Sequence, residues 1–291
     1  MKGKILIGLI FVLAACADDS IISVQQQLQK DIKAIDDYLV ANNITNAIKD
    51  ASGVRIVITT LGTAGLPPNL GNDLKVVYTG RLLGGPEFKS ETLYEKLGNY
   101  IFGWQIALQL LPEGSEATIY IPSSYAYGNQ GNSSIPPNTN LVFDVFLESV
   151  TPTPGQVSKL ASDGVIIDNY LASKGTVTAI THSSGLRYEI LAEGSGTTTP
   201  GLYDQIKVTY TGKLIPAETD FGAGTVEPNA ATSSRVINFI HGWQIGVPLL
   251  KEGGKIRLYI PSGLAYGNVI QDNIPTNSNL FFEIELIDII E

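Results

Sequence analysis

The sequence predicts an α+β protein made of two copies of one domain, each an antiparallel sheet covered by a short helix. The first observation behind this is that Ala-Tyr-Gly-Asn occurs twice, from Ala126 and again from Ala265, inside a much longer self-match. The second is that apolar residues alternate with period two through most of each copy, the mark of strands with one buried face. The third is the supply of 30 Gly and 15 Pro, which fits short strands joined by tight turns. At 291 residues the chain is long enough for about two domains with separate cores.

The repeat is defined residue by residue. Asp37-Tyr38-Leu39 matches Asn169-Tyr170-Leu171, Ser52-Gly53 matches Ser184-Gly185, and VYTG at 77–80 matches TYTG at 209–212, with an offset of 132 (210 − 78). Gly103-Trp104-Gln105-Ile106 matches Gly242-Trp243-Gln244-Ile245, and Tyr127 matches Tyr266, at an offset of 139 (243 − 104). Seven extra residues (139 − 132) therefore lie between Gly212 and Gly242, in PAETDFGAGTVEPNAATSS, whose Gly, Pro, Ser and Thr content reads as a loop.

The elements follow in chain order. Residues 2–16 read KGKILIGLIFVLAAC, two lysines and an apolar run too short to span a membrane but suited to a signal-peptide core. LAAC resembles the lipobox of bacterial lipoproteins, which implies that Cys16, the sole cysteine, carries lipid and begins the mature chain. Disulfides are then excluded, and acyl chains at about 0.8 kcal/mol per buried methylene hold the protein to a membrane. Next, Ile21, Val24, Leu28, Ile32, Ile35 and Leu39 form an apolar stripe on a helix ended by Asn42-Asn43. That stripe lies either on its own domain or on another subunit, so the oligomeric state stays open.

Strands are expected over 54–59, 74–80, 117–121 and 141–150, and in the second copy over 186–191, 205–214, 255–260 and 280–289. Ile256, Leu258 and Ile260 share a face, as do Phe282, Ile284 and Leu286, so one covered sheet face is expected. A short helix follows Trp104 and another follows Trp243, ending at PEG and KEG, with Pro248 in the first turn of the second. After the linker Thr151-Pro152-Thr153-Pro154-Gly155, Val157, Leu160, Ile167 and Leu171 make a weaker stripe interrupted by Gly164.

Composition removes several kinds of chemistry. A net charge of −9 with no basic stripe argues against nucleic acid. The only histidines, His182 and His241, are not equivalent in the repeat, which rules out a duplicated Ser-His-Asp site or a His/Cys zinc site. GSGTTTPG and FGAGTVEP lack the strand-to-helix context of a dinucleotide site.

What the copies share is aromatic and aliphatic. VVYTG, FKS, YIFGW, AYG, IPP and LVFDV, and again VTYTG, FGAG, FIHGW, AYG, IPT and LFFEI, follow in order over about 52–151 and 184–291. This pattern resembles the FKBP-type peptidyl-prolyl cis-trans isomerases. The resemblance implies two FKBP-like domains, each a bent antiparallel sheet of five or six strands wrapped on a short α-helix, plus the N-terminal amphipathic helix. It implies catalytic positions at Tyr78, Phe88, Ile101, Trp104, Tyr127 and Phe143, and at Tyr210, Phe221, Ile240, Trp243, Tyr266 and Phe282. Tyr100, Ile135, Phe239 and Ile274 would line the substrate groove, with the tryptophans as floors. The backbone N–H at Ile101 and Ile240 and the phenols of Tyr127 and Tyr266 would bind substrate carbonyls. No metal or cofactor is implied. The partners would be proline-containing polypeptides and, through Cys16, a membrane of the bacterial envelope, the outer membrane on its periplasmic or surface side.

The expected organisation is a signal peptide over 1–16, a linker and helix over 17–51, a first domain over 52–151, a helical linker over 152–183 and a second domain over 184–291. Two departures from the family pattern stand out. The family has Asp after the wall phenylalanine, but Lys89 follows Phe88 and Gly222 follows Phe221, so both copies lack that acid. Phe221 is also one residue late, and a second aromatic wall is replaced by Leu93 and Thr232. These losses weaken fast catalysis more than binding, so the rival readings are a non-enzymatic chaperone or peptide-binding lipoprotein and a scaffold with vestigial clefts.

Overall fold

A computed structural model describes residues 23–228 and 234–290. The signal-like segment with Cys16, as well as Ile21 and Thr232, lies outside the described residues.

Helix α1 (Val24–Ala41) opens with a capping box, in which the Ser23 hydroxyl accepts from the Gln26 amide while the Gln26 side chain accepts from the Ser23 amide. It closes at Asn42 and at Asn43, whose φ of 57° ends the helical path. The first sheet joins β1 (Ile48–Lys49), β2 (Arg55–Thr60), β3 (Asp73–Leu82), β4 (Glu87–Lys96), β5 (Glu116–Ile121) and β6 (Leu141–Thr151) in the order β1-β2-β5-β6-β3-β4. Helix α2 (Phe102–Leu108) crosses its inner face. After α3 (Pro154–Ser173), the second sheet takes β7 (Ile180–Thr181), β8 (Arg187–Ala192), β9 (Gln205–Ile215), β10 (Asp220–Val226), β11 (Lys255–Ile260) and β12 (Asn279–Ile290) in the equivalent order β7-β8-β11-β12-β9-β10. Helix α4 (His241–Gly246) covers that sheet. All strand pairs are antiparallel.

Alternation sets the two faces of each sheet. Ile119, Ile121, Leu141 and Phe143 point into the first core with Trp104, and Ile256, Leu258, Ile260, Leu280 and Phe282 into the second with Trp243. The opposite face is not simply wet, as the single-covered-face expectation had it. Tyr120 and Val142 bury against Ile35 and Leu39 of α1, and Tyr259 against Ile167, Tyr170 and Leu171 of α3. Each unit is therefore three layers, with an inner helix, a sheet and an outer helix. The α1 stripe lies on its own sheet, although Val24 at its start is exposed.

The outer helices dock by matching bonds. Arg55 on β2 donates to both oxygens of Asp36 at 2.8 and 3.0 Å, and Arg187 on β8 to both oxygens of Asp168 at 3.0 and 3.1 Å. Helix α3 runs unbroken through Gly164, which the stripe had suggested as an interruption. A Cβ there would lie 3.2 Å from a guanidinium nitrogen of Arg187, so the glycine leaves space for that side chain.

Three further expectations change. The PAETDFGAGTVEP stretch is not all loop, since β10 pairs with β9 through backbone bonds that composition does not reveal. The inner helices start before their tryptophans, because Ile101 and Ile240 hold extended dihedrals and act as N-caps. Pro248 follows α4 in a 3-10 turn instead of opening it, and it lacks the N–H that would continue the ladder.

The units also touch each other. The Tyr203 hydroxyl accepts from the Ile58 amide at 2.6 Å and donates to the Ile58 carbonyl at 2.8 Å. Leu202, Tyr203 and Ile237 pack against the first core, and Leu66 packs against the second.

Candidate functional site

Each site is assembled where the inner helix meets the sheet. The helix can come this close because Gly103 and Gly242 precede the tryptophans: a Cβ on Gly103 would sit 2.4 Å from the Ile121 side chain, and one on Gly242 2.6 Å from Ile260. The next residue but one clamps the incoming chain. Gln105 Nε2 donates to the carbonyls of Gly98 and Tyr100 at 3.1 and 2.8 Å, and Gln244 Nε2 to those of Ile237 and Phe239 at 2.9 and 2.7 Å. Sequence reading had passed over both glutamines, although their place in the shared Gly-Trp-Gln-Ile was a signal. His241, beside Gln244, is half-buried and its Nδ1 lies 3.1 Å from the Gln244 side-chain oxygen; desolvation lowers its pKa, against the opposing effect of that hydrogen bond.

The rings form the same box twice. Trp104 meets Tyr78 edge-on with centroids 5.1 Å apart, Phe143 edge-on at 5.3 Å and Tyr100 at 5.1 Å. Trp243 meets Tyr210 at 5.5 Å, Phe282 at 5.2 Å and Phe239 at 5.0 Å. Phe88 stands edge-on to Phe143 at 5.8 Å, and Phe221 to Phe282 at 5.3 Å. Such edge-to-face contacts add about 0.5–1.5 kcal/mol each beyond area burial. Both indole N–H groups are buried with no acceptor among the described residues, so packing alone holds the tryptophans.

Gly80 and Gly212 make room for the wall phenylalanines, whose ring atoms lie 2.6 and 2.5 Å from where a Cβ would be. The late position of Phe221 is thus absorbed in the longer turn before β10, and both phenylalanines end over equivalent glycines. In the second unit Tyr210, Phe221, Phe239, Ile240, Trp243, Tyr266, Ile274 and Phe282 line a cavity of about 310 Å³. Ile135 is buried in the first core, whereas Tyr127 is 39% exposed at its rim. Tyr266 is half-buried, and burial together with the neighbouring Tyr210 raises its pKa. The amide N–H groups of Ile101 and Ile240 have no acceptor among the described residues.

The acid after the wall phenylalanine is absent from both units, but in the first a different carboxylate reaches the tyrosine. Tyr78, buried to 7% exposure, donates to Glu91 Oε1 at 2.9 Å from the directly opposite position on β4, and Lys89 pairs with the same oxygen at 2.6 Å. Lys89 therefore holds the carboxylate that serves the tyrosine. The hydrogen bond from Lys89, then that from Tyr78, lowers the Glu91 pKa, and burial with the Glu91 contact raises that of Tyr78. Only strand register reveals this acid, since it lies three residues past Phe88. In the second unit the residue opposite Tyr210 is Gly224, which offers no side chain. Asp220 points outward toward Lys213 at 3.7 Å, as strand alternation predicts.

A bent sheet wrapped on a short helix, with an indole floor and aromatic walls, defines the class of fold. The sequence pattern of the family described as FKBP-type peptidyl-prolyl cis-trans isomerase matches residues 66–148 and 196–287. The chain belongs to that family. It is similar to the FKBP-type peptidyl-prolyl cis-trans isomerase FkpA of Aeromonas hydrophila, 37% identical over 135 residues, which is 44% of this chain and 47% of that protein. It is also similar to FkpA of Escherichia coli K12, 38% identical over 123 residues, covering 42% of this chain and 43% of the relative. The crystal structure of FkpA from Escherichia coli aligns with a TM-score of 0.39 at 29% identity, over 45% of this chain and 65% of that one. The chain spans about half the length of the curated relatives it matches or less.

Proposed function

We propose that the chain is a tandem prolyl isomerase acting on Xaa-Pro bonds of exported polypeptides, with the first cleft the faster. The observation that carries this is the same tryptophan-floored ring box in both units, lined in the second by an open cavity of about 310 Å³. Rotation about an Xaa-Pro bond faces a barrier of ~18–20 kcal/mol because amide resonance is lost. The planar amide is more charge-separated than the twisted one, so an apolar, water-poor cleft favours the twisted state. A rate gain of ~10⁴–10⁵ requires about 5.5–7 kcal/mol of differential stabilisation, more than single hydrogen bonds of ~1 kcal/mol supply. The proline ring would rest on Trp104 or Trp243, with the Ile101 or Ile240 amide and the Tyr127 or Tyr266 phenol binding the flanking carbonyls.

A protease-coupled assay on Xaa-Pro peptides tests this. The parent is expected to exceed the uncatalysed rate, with Tyr127→Phe and Tyr266→Phe each lowering kcat/KM and the double variant lowering it further. A parent rate equal to background ends the reading, and a rate untouched by both substitutions moves the site elsewhere. The second cleft has a rival role as a peptide-binding chaperone site, favoured by Gly224 opposite Tyr210. Aggregation suppression that survives Tyr127→Phe and is lost with Trp243→Ala would mark it.

The expected 52–151 and 184–291 divisions hold most of each sheet and 17–51 and 152–183 the helices α1 and α3, but the short edge strands β1 and β7 fall in the latter segments, so each unit is proposed to start with its outer helix. Export and lipid anchoring at Cys16 belong to the same proposal, supported by the apolar run that ends in LAAC. Among the described residues no helix is long and apolar enough to cross a membrane. Mass spectrometry of the mature N-terminus reads the anchor directly.

A further inference from the structure

Each outer helix sends one buried carboxylate through to the loop that carries the cleft tyrosine. Asp31 on α1 accepts from the Ser123 amide at 3.0 Å and from the Ser123 hydroxyl at 2.5 Å. Asp163 on α3 accepts from the Ser262 amide at 3.1 Å and from the Ser262 hydroxyl at 2.7 Å. The same serine amides also reach the side-chain oxygens of Asn140 and Asn279, at 3.1 and 3.0 Å. Both aspartates and both serines are 3% exposed or less.

The serine is the hub of the loop. The Ser123 carbonyl accepts from the amides of Ala126 at 3.0 Å and Gly128 at 2.8 Å, the two residues that flank Tyr127. The Ser262 carbonyl accepts from Ala265 at 3.1 Å and Gly267 at 2.9 Å, which flank Tyr266. A carboxylate moved out of water this completely is costly unless every oxygen is bonded. The remaining oxygen is met by Gln27 at 2.6 Å in the first unit and by Lys159 in the second. Both helices lie outside the residues that match the family.

We propose that Asp31 and Asp163 are positioning residues: acting through Ser123 and Ser262, they fix the loop that aims Tyr127 and Tyr266 into the clefts. The idea rests on reading those tyrosines as substrate-binding groups. Each catalytic unit is then a helix plus a sheet, and the outer helix is part of the machinery.

Hydrogen exchange and kinetics on the full chain test it together. In Asp31→Ala the amides of Ala126 and Gly128 should exchange about tenfold faster, while that of Phe143 in β6 changes less. The first unit's kcat/KM should fall about tenfold, the factor given by ~1.4 kcal/mol of lost hydrogen bonding. Combining Asp31→Ala with Tyr127→Phe should add little to either alone, because both disable one group. Asp31→Asn, which keeps an acceptor for the serine, should restore most of the loss. Should Asp31→Ala not fold, Ser123→Ala removes only the hydroxyl bond and is read the same way. Equal acceleration at Phe143 and at the loop, or losses that multiply independently, would overturn the proposal. A parent without isomerase activity would defeat the functional reading, while the exchange comparison would still decide whether the carboxylate holds the loop.

Discussion

At Tyr78 a buried phenol has a carboxylate partner that its counterpart Tyr210 lacks among the described residues, and this difference is where the two clefts diverge chemically. Glu91→Ala leaves the Tyr78 hydroxyl without its carboxylate acceptor. A fall in first-unit kcat/KM of several-fold, with melting temperature lowered, is expected in the coupled assay and in thermal denaturation. The converse change is open to test in the second unit. A Cβ on Gly224 would meet only ordinary contacts, the nearest being Tyr210 at 3.9 Å, and its backbone has no positive φ. Gly224→Glu should therefore be tolerated and raise second-unit activity, measured with Tyr127→Phe in the first. No gain would mean that the carboxylate opposite the tyrosine has no part in the rate.

At the scale of elements, the outer helices were legible as amphipathic stripes, but their destination was not. Periodicity shows that α1 has an apolar side; it does not show that Tyr120 and Val142, on the face alternate to the core, wait beneath it. Asp31, buried beside that stripe, was not singled out by periodicity, and its serine partner explains it. The docking also has a pH signature. Asp36 is held below its ordinary carboxylate range, chiefly by the hydrogen bond from Arg55 and against the opposing effect of burial. A carboxyl depressed in the folded state contributes its full stability above its unfolded pKa and loses it as pH falls through the folded value. Thermal stability should therefore decline as pH drops below the ordinary Asp value of 3.8, with Asp36→Asn showing a shallower decline over that window. An identical pH profile in parent and variant would remove Asp36 from the account.

For the whole molecule, the two units are joined by more than a linker. Tyr203 satisfies both the N–H and the C=O of Ile58 on β2, polar groups that would otherwise face an open strand edge. Tyr203→Phe should cost about 1–3 kcal/mol and make the two units melt less cooperatively, seen as a broadened calorimetric transition. A single sharp transition at the parent temperature would show that the reciprocal packing of Leu66 and Ile237 suffices.

By itself, the order of residues determined the duplication and the core-facing side of each strand, because each depends on local periodicity or on a motif repeated at one offset. Trp104, Trp243 and their aromatic neighbours could be named from the chain because the motifs that carry them, repeated in both copies, resemble the FKBP pattern. Tertiary structure alone decided the pairings across strands and layers: Glu91 with Tyr78, Gly224 with Tyr210, and Asp31 with Ser123. Those contacts join residues whose separation follows no period. They are fixed by strand register and by the face on which a helix lands, and neither is written in the local sequence.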